Sequence, residues 1–193
     1  EMREIGTPVG GKSLPAYSPD GAWVAYFGSE GRGDWWKNTR LYVVPADGSA
    51  APRCLTADHD LHLSDVTLGD LAGFPGANPP PRWSPDGATL YVVGSRHGST
   101  ILYAVSVADG SLRALSTDAG VHEGISMSAD ASACAYIDPG MESLGQVSVM
   151  DIAGTRRRRL TRFNDALLRS RDLGDVEEVW FQGPNDNDLQ GWI

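Results

Sequence analysis

Ser18-Pro19-Asp20-Gly21 returns as Ser84-Pro85-Asp86-Gly87 and, in worn form, as Ser128-Ala129-Asp130-Ala131. The copies begin at 18, 84 and 128, steps of 66 and 44 residues. A repeat of roughly 40–45 residues is the length of one four-stranded propeller blade. The longer first step is one such unit plus an insertion of about 22 residues. Each copy keeps one order of events. An apolar or aromatic residue, Tyr17, Trp83 or Met127, precedes the turn. In the turn, Pro presets φ and Gly accepts a positive φ. A short apolar strand follows at Trp23 to Phe27, Leu90 to Val93 and Ala133 to Ile137, then a polar loop. A further strand comes at Leu41 to Val44, Ile101 to Val105 and Gln146 to Met150. An acidic-glycine turn leads to an ending in Arg53-Cys54-Leu55-Thr56, Arg113-Ala114-Leu115-Ser116 or Arg159-Leu160-Thr161.

β-branched and aromatic residues suit half-buried strands, and Asp-Gly suits tight hairpins. No helix-length window repeats apolar residues at i, i+3, i+4 and i+7. The 23 glycines and 12 prolines also favour a turn-rich β protein. The expected fold class is therefore all-β, a partial β-propeller of about three four-stranded blades. A propeller closes with roughly 4–8 blades, and three alone leave open sheet faces. Residues 1–16 read as the end of a preceding blade, with Glu1 to Ile5 as its outer strand. The expectation is a piece of a larger protein whose other blades precede residue 1.

The net charge of −9 opposes binding to a phosphate backbone and to anionic membranes. No apolar run reaches the ~18–20 residues of a membrane span. The only dense basic run, Arg156 to Arg159, reads as an exposed outer strand with its guanidinium groups in water or paired to acids. Cys54 and Cys134 read as two reduced core thiols; a single long-range disulfide is the alternative.

The insertion lies between Thr56 and Trp83 and ends in Pro79-Pro80-Pro81, a stiff extended connector. Long insertions in compact folds are often functional. Asp65, Asp70 and Phe74 are the residues expected to bind substrate, as a loop lining a chamber at the propeller mouth. His59, His62, Asp60 and Asp65 raise the thought of a metal, but their spacing matches no metal signature, and a solvated acidic loop is the preferred reading. No metal and no cofactor are expected.

After Thr161 the repeat stops. Residues 1–164 read as propeller blades, 165–175 as a linker, and 176–193 as the start of another domain. Asp175 to Phe181 and Leu189 to Ile193 read as two strands joined by the turn-like Gly183 to Asp188, a hairpin that belongs to no blade.

The repeats, the Leu-Thr endings and the tail with Asn164, Val176 to Phe181 and Gln190-Gly191-Trp192-Ile193 resemble the prolyl oligopeptidase family of serine peptidases, its acylaminoacyl-peptidase-like branch most of all. The resemblance implies that the hairpin opens an α/β-hydrolase domain and that the propeller is a lid admitting short peptides. It implies a nucleophile elbow G-x-S-x-G, which this sequence lacks, so the catalytic triad is expected outside it. No catalytic residue is assigned, and none of His59, His62, His97 or His122 is carried over as the catalytic histidine. The chain alone is expected to be inactive. The implied partners are a peptide substrate and the remainder of the same protein, with homo-oligomers compatible and nucleic acid and membrane not. The implied compartment is the cytoplasm. TolB-like binding propellers share the repeat and supply the alternative, a protein-interaction module. A propeller glycosidase or lyase would need paired carboxylates inside the blades, and none stands out.

Overall fold

The computed structural model describes residues 5–6, 8–34, 36–64, 66, 78–116, 120–138, 145–153 and 156–193. Each sequence copy folds as one four-stranded antiparallel meander. The first blade is β1 (Lys12–Tyr17), β2 (Trp23–Gly28), β3 (Arg40–Pro45) and β4 (Arg53–Cys54). The second is β5 (Arg82–Trp83), β6 (Thr89–Arg96), β7 (Ser99–Ser106) and β8 (Leu112–Ala114). The third is β9 (Glu123–Met127), β10 (Ala133–Asp138), β11 (Gln146–Asp151) and β12 (Arg157–Arg159). Residues 1–4, which include most of the expected outer strand before the first blade, lie outside the described residues. Among the described residues no helix is long and apolar enough to cross a membrane.

The repeated turn is a small hydrogen-bonded cage. Ser18 Oγ donates to Asp20 Oδ1 at 2.6 Å and accepts from the Trp23 amide at 2.9 Å. Asp20 Oδ1 also accepts from the Ala22 amide at 3.0 Å. Ser84 and Asp86 repeat the pattern with Ala88 and Thr89. Ser128 and Asp130 repeat it with Ser132 and Ala133, although Pro and Gly are lost there. These donors favour the charged carboxylate. The Ser18 hydroxyl first, then the Ala22 amide, holds Asp20 below the usual range, and the equivalent groups bring Asp130 to about 2. A carboxylate lowered by folding stabilises above its unfolded value, so the cages are intact above about pH 4 and weaken as the pH falls toward 2.

Gly21 sits at φ 73 with open space where a Cβ would stand. Gly21→Ala is therefore opposed by backbone strain alone, an expected loss of about 1 kcal/mol that a thermal melt will read as a lower Tm. Ala131 already occupies the equivalent position at φ 54.

The Leu-Thr ending has an equally local explanation. Leu55 donates its amide to the Leu41 carbonyl at 2.8 Å, and Thr56 Oγ1 accepts from the Leu41 amide at 3.0 Å. Leu115 and Ser116 clasp Leu102 in the same way. Leu160 and Thr161 clasp Val147. The hydroxyl thus satisfies a backbone donor just beyond the reach of the short outer strand, which explains why the ending recurs.

Side chains alternate between the two faces of each blade. Leu90, Val92, Tyr103 and Val105 face back toward the first blade, whose Ala25, Phe27, Leu41 and Val43 face forward to meet them in one buried cluster. Val93, Leu102 and Ala104 face forward to meet Cys134, Tyr136 and Met150 of the third blade. The residue before each turn points backward. Trp83 is accordingly buried against the first blade, whereas Tyr17 is 68% exposed. Indole Nε1 of Trp83 donates to the Ala16 carbonyl at 3.1 Å, joining the two innermost strands. Arg53 donates to the Val107 and Ala108 carbonyls, and Arg82 to that of Ala129, so side chains also join successive blades.

Cys54 and Cys134 are both free thiols. Burial pushes the Cys134 thiol up to about 11. The basic run forms the outer strand β12, with Arg157 paired to Asp138 and Arg159 to Asp165.

The tail opens with α1 (Asp165–Leu168), a single helical turn too short to leave a periodic signal, inside the segment read as a linker. Residues 169–177 are exposed throughout. β13 (Glu178–Gln182) and β14 (Asp188–Trp192) then pair as the expected hairpin, with Trp180 opposite Gln190. Its turn places Asn185 and Asp186 at φ 61 and 56, a conformation these two residue types tolerate.

Candidate substrate-facing edge

An up-and-down meander sorts its connections onto two edges. The repeated Ser-x-Asp turns and the Asp-Gly turns share one edge. The β2–β3 and β6–β7 loops share the other with the crossings between blades. The described parts of the crossing from β4 to β5 belong to this second, loop-bearing edge.

Its first part is firmly built in. Arg40 Nη1 donates to the carbonyls of Thr56 at 2.6 Å and Ala57 at 2.8 Å. Asn38 Nδ2 donates to Asp60 at 2.8 Å. The Thr39 amide donates to His62 Nδ1 at 3.3 Å, and the Leu63 amide to the Thr39 carbonyl at 3.1 Å. On the other side the Ser95 amide donates to the His62 carbonyl at 3.1 Å. Leu61 and Leu63 are buried in the core between the first two blades. The returning chain closes the base, with Asn78 Nδ2 donating to the Leu63 carbonyl at 3.2 Å and Pro81 fully buried.

The three residues expected to bind substrate, Asp65, Asp70 and Phe74, lie outside the described residues. Asn78 meets Leu63 at the loop-bearing edge. Leu61 and Leu63 were missed in the sequence because the stretch was read as one loop; the alternation Leu61-His62-Leu63 was the available signal.

The histidines are held by structural contacts. His59 Nε2 lies 3.1 Å from the Gly110 carbonyl, and His122 Nδ1 lies 2.9 Å from that of Thr100. His97 meets the Trp180 ring edge-to-face at 5.2 Å. Asp60 is held by Asn38 and His62 by Thr39, so the His-Asp group of the sequence is divided between separate anchors. Among the described residues no three His, Cys, Asp or Glu side chains gather at metal-binding distance.

Burial lowers the pKa of His62, and its Nδ1 serves as an acceptor only when unprotonated. A base whose pKa falls on folding stabilises above its unfolded value of about 6.5 and loses that contribution as the pH drops through the folded value. Hydrogen exchange of residues 57–64, corrected for its intrinsic pH dependence, is expected to rise below about pH 6.5. His62→Asn, which retains an acceptor and cannot titrate, is expected to flatten that profile.

Beside the anchored insertion lies a polar cleft of about 490 Å³ lined by Glu30, Asp34, Trp36, Lys37, Arg40 and Asp60 among others. Lys37 Nζ lies 3.2 Å from Asp34 and 5.1 Å from the centre of the Trp36 ring. The Trp36 indole is largely exposed. Such a cleft offers charges of both signs and one aromatic platform, features suited to holding polar chain rather than to breaking bonds.

No family model matches the chain. Over 141 residues it is 27% identical to the uncharacterized peptidase YuxL of Bacillus subtilis (strain 168), a match covering 72% of this chain and 21% of that protein. It also superimposes on the acylaminoacyl peptidase of Pyrococcus horikoshii with a TM-score of 0.62 at 16% identity, covering 90% of this chain and 23% of that one. The chain shares the propeller fold of these peptidases. The chain spans about one fifth of the length of the curated relative that it matches. The same blades are found outside peptidases. The putative TolB from Agrobacterium tumefaciens superimposes with a TM-score of 0.59 at 19% identity, covering 82% of this chain and 50% of that one. At such identities the solved structures speak for the fold alone.

Proposed function

We propose that this segment is the lid and substrate filter of a serine oligopeptidase or acylaminoacyl peptidase, and that the catalytic triad lies outside these residues. The observation that carries the reading is the change of construction after Thr161. Three sheets of one pattern give way to an exposed linker and a hairpin of a different kind. The YuxL match supports it, because that protein is a peptidase by name. In this reading the loop-bearing edge, with the bases of the insertion and the Trp36 cleft, faces the peptide. Remote contacts there orient substrate for chemistry on the neighbouring module. The partners are then a short peptide, the preceding blades, the hydrolase domain and, where the protein oligomerises, further copies of itself. The two unpaired cysteines support a reducing compartment, and we assign the cytoplasm.

The test uses the full-length protein that carries this segment. It is expected to hydrolyse short chromogenic peptides, free or N-acylated, to spare folded proteins, and to react with a fluorophosphonate at one serine outside residues 1–193. Absence of both hydrolysis and labelling overturns the reading. Deleting residues 65–77, which spares the buried Leu61 and Leu63 and the Asn78 anchor, is expected to change substrate preference and turnover; unchanged values would remove the insertion from the chamber. The TolB superposition favours one other reading, a binding propeller that acts as an interaction module. A protein without a reactive serine that retains stable protein partners would support it.

A further inference from the structure

The hairpin β13–β14 has two unlike faces. Cross-strand pairing puts Glu178, Trp180, Gln190 and Trp192 on one of them and Val179, Phe181 and Leu189 on the other. Glu178 Oε1 accepts from the Trp180 indole and from Gln190 Nε2, fixing the first face as a rigid plate. That plate lies on the β6–β7 turn of the second blade. The Trp180 ring meets His97 at 84° and 5.2 Å. The Trp192 ring covers Gly98 so closely that a Cβ there would run into it. Gly98 has φ 64 and His97 φ 48, so the turn turns a bare backbone surface outward. Between blade and hairpin, residues 169–177 are exposed, with Gly174 at φ 73. Glu177 extends the hairpin ladder by exchanging two hydrogen bonds with Ile193.

From this juxtaposition we propose that the two tryptophans form a clasp on the His97–Gly98 turn, and that this clasp sets how the hairpin, and any structure resting on its Phe181–Leu189 face, is oriented on the second blade. The contact is small. It consists of one edge-to-face ring pair and one ring laid on a glycine, so the clasp opens and closes rather than welding the parts together. Gly98 is the specificity element, because any side chain at that position displaces the indole. The inference rests on the contact geometry and does not depend on the peptidase reading.

The experiment is hydrogen exchange with mass spectrometry on the full-length protein, read at residues 96–100 and 178–192. Trp192→Ala is expected to speed exchange about three- to tenfold in both segments. Gly98→Asn, which the positive φ tolerates, is expected to do the same from the blade side. In the double variant the two effects are not expected to add, since each removes the same contact. A change in Trp192→Ala confined to residues 178–192, or no effect of Gly98→Asn on the hairpin, overturns the clasp. Additive effects overturn it as well. Catalytic activity is not the readout, so an inactive protein leaves the result interpretable.

Discussion

Trp83→Ala is expected to destabilise the protein by about 3–5 kcal/mol, a large share of the 5–15 kcal/mol that holds a domain together. The residue is 6% exposed and belongs to the cluster joining the first two blades. Its removal empties a volume that two separate sheets line, and sheets tied by ladders within each blade have little freedom to collapse into it. The substitution also deletes the donor to the Ala16 carbonyl. Trp83→Phe separates the two contributions. It keeps most of the packing and loses the hydrogen bond, an expected cost of about 1–2 kcal/mol beyond the volume lost. Tyr17→Ala is the control, because Tyr17 occupies the same place in its own copy and stands 68% exposed. Its expected effect is within about 0.5 kcal/mol. Urea titrations of the three variants measure the series. A Trp83→Ala variant as stable as Tyr17→Ala would mean that the blades do not pack as described.

Thr56→Val has the second largest expected effect, about 1–3 kcal/mol. Valine matches threonine in shape, so packing is nearly conserved. What disappears is the acceptor for the Leu41 amide, at a site where Thr56 has no exposed surface and water cannot substitute. Thr161→Val removes the same bond to Val147 at a partly exposed site and also the hydroxyl's donation to Gln146 Oε1, which keeps the Phe163 amide as a donor; its expected cost is still less than half as large. Comparing the two in one denaturation series measures how much burial, rather than the bond itself, makes the ending important. Equal losses would contradict that account.

Most of the blade architecture was legible because its determinants are local. A turn that needs a serine, an aspartate and a following apolar strand declares itself within ten residues, and the three sheets coincide with the three copies. The equivalence of Tyr17, Trp83 and Met127 was legible in position but not in burial. Burial depends on what stands behind each blade, and spacing within a copy says nothing of that. Leu61 and Leu63 escaped notice for a related reason: two apolar residues become core only because two blades converge on them. The paired strands of the tail were readable from composition, but the resting place of Trp192 on Gly98 was not, since it joins positions that no local pattern connects. The candidate edge was thus readable as an insertion, while its anchoring through Arg40, Asn38 and Thr39 became visible only in three dimensions.

The third turn holds its shape without the motif's conspicuous residues. Ser128 and Asp130 preserve every bond of the motif although the two residues that make it conspicuous, proline and glycine, have gone. A hydroxyl and a carboxylate two positions apart are therefore enough to build the turn without proline or glycine. A search for eroded copies elsewhere in such proteins will find more by looking for that minimal pair ahead of an apolar stretch than by looking for the full tetrapeptide.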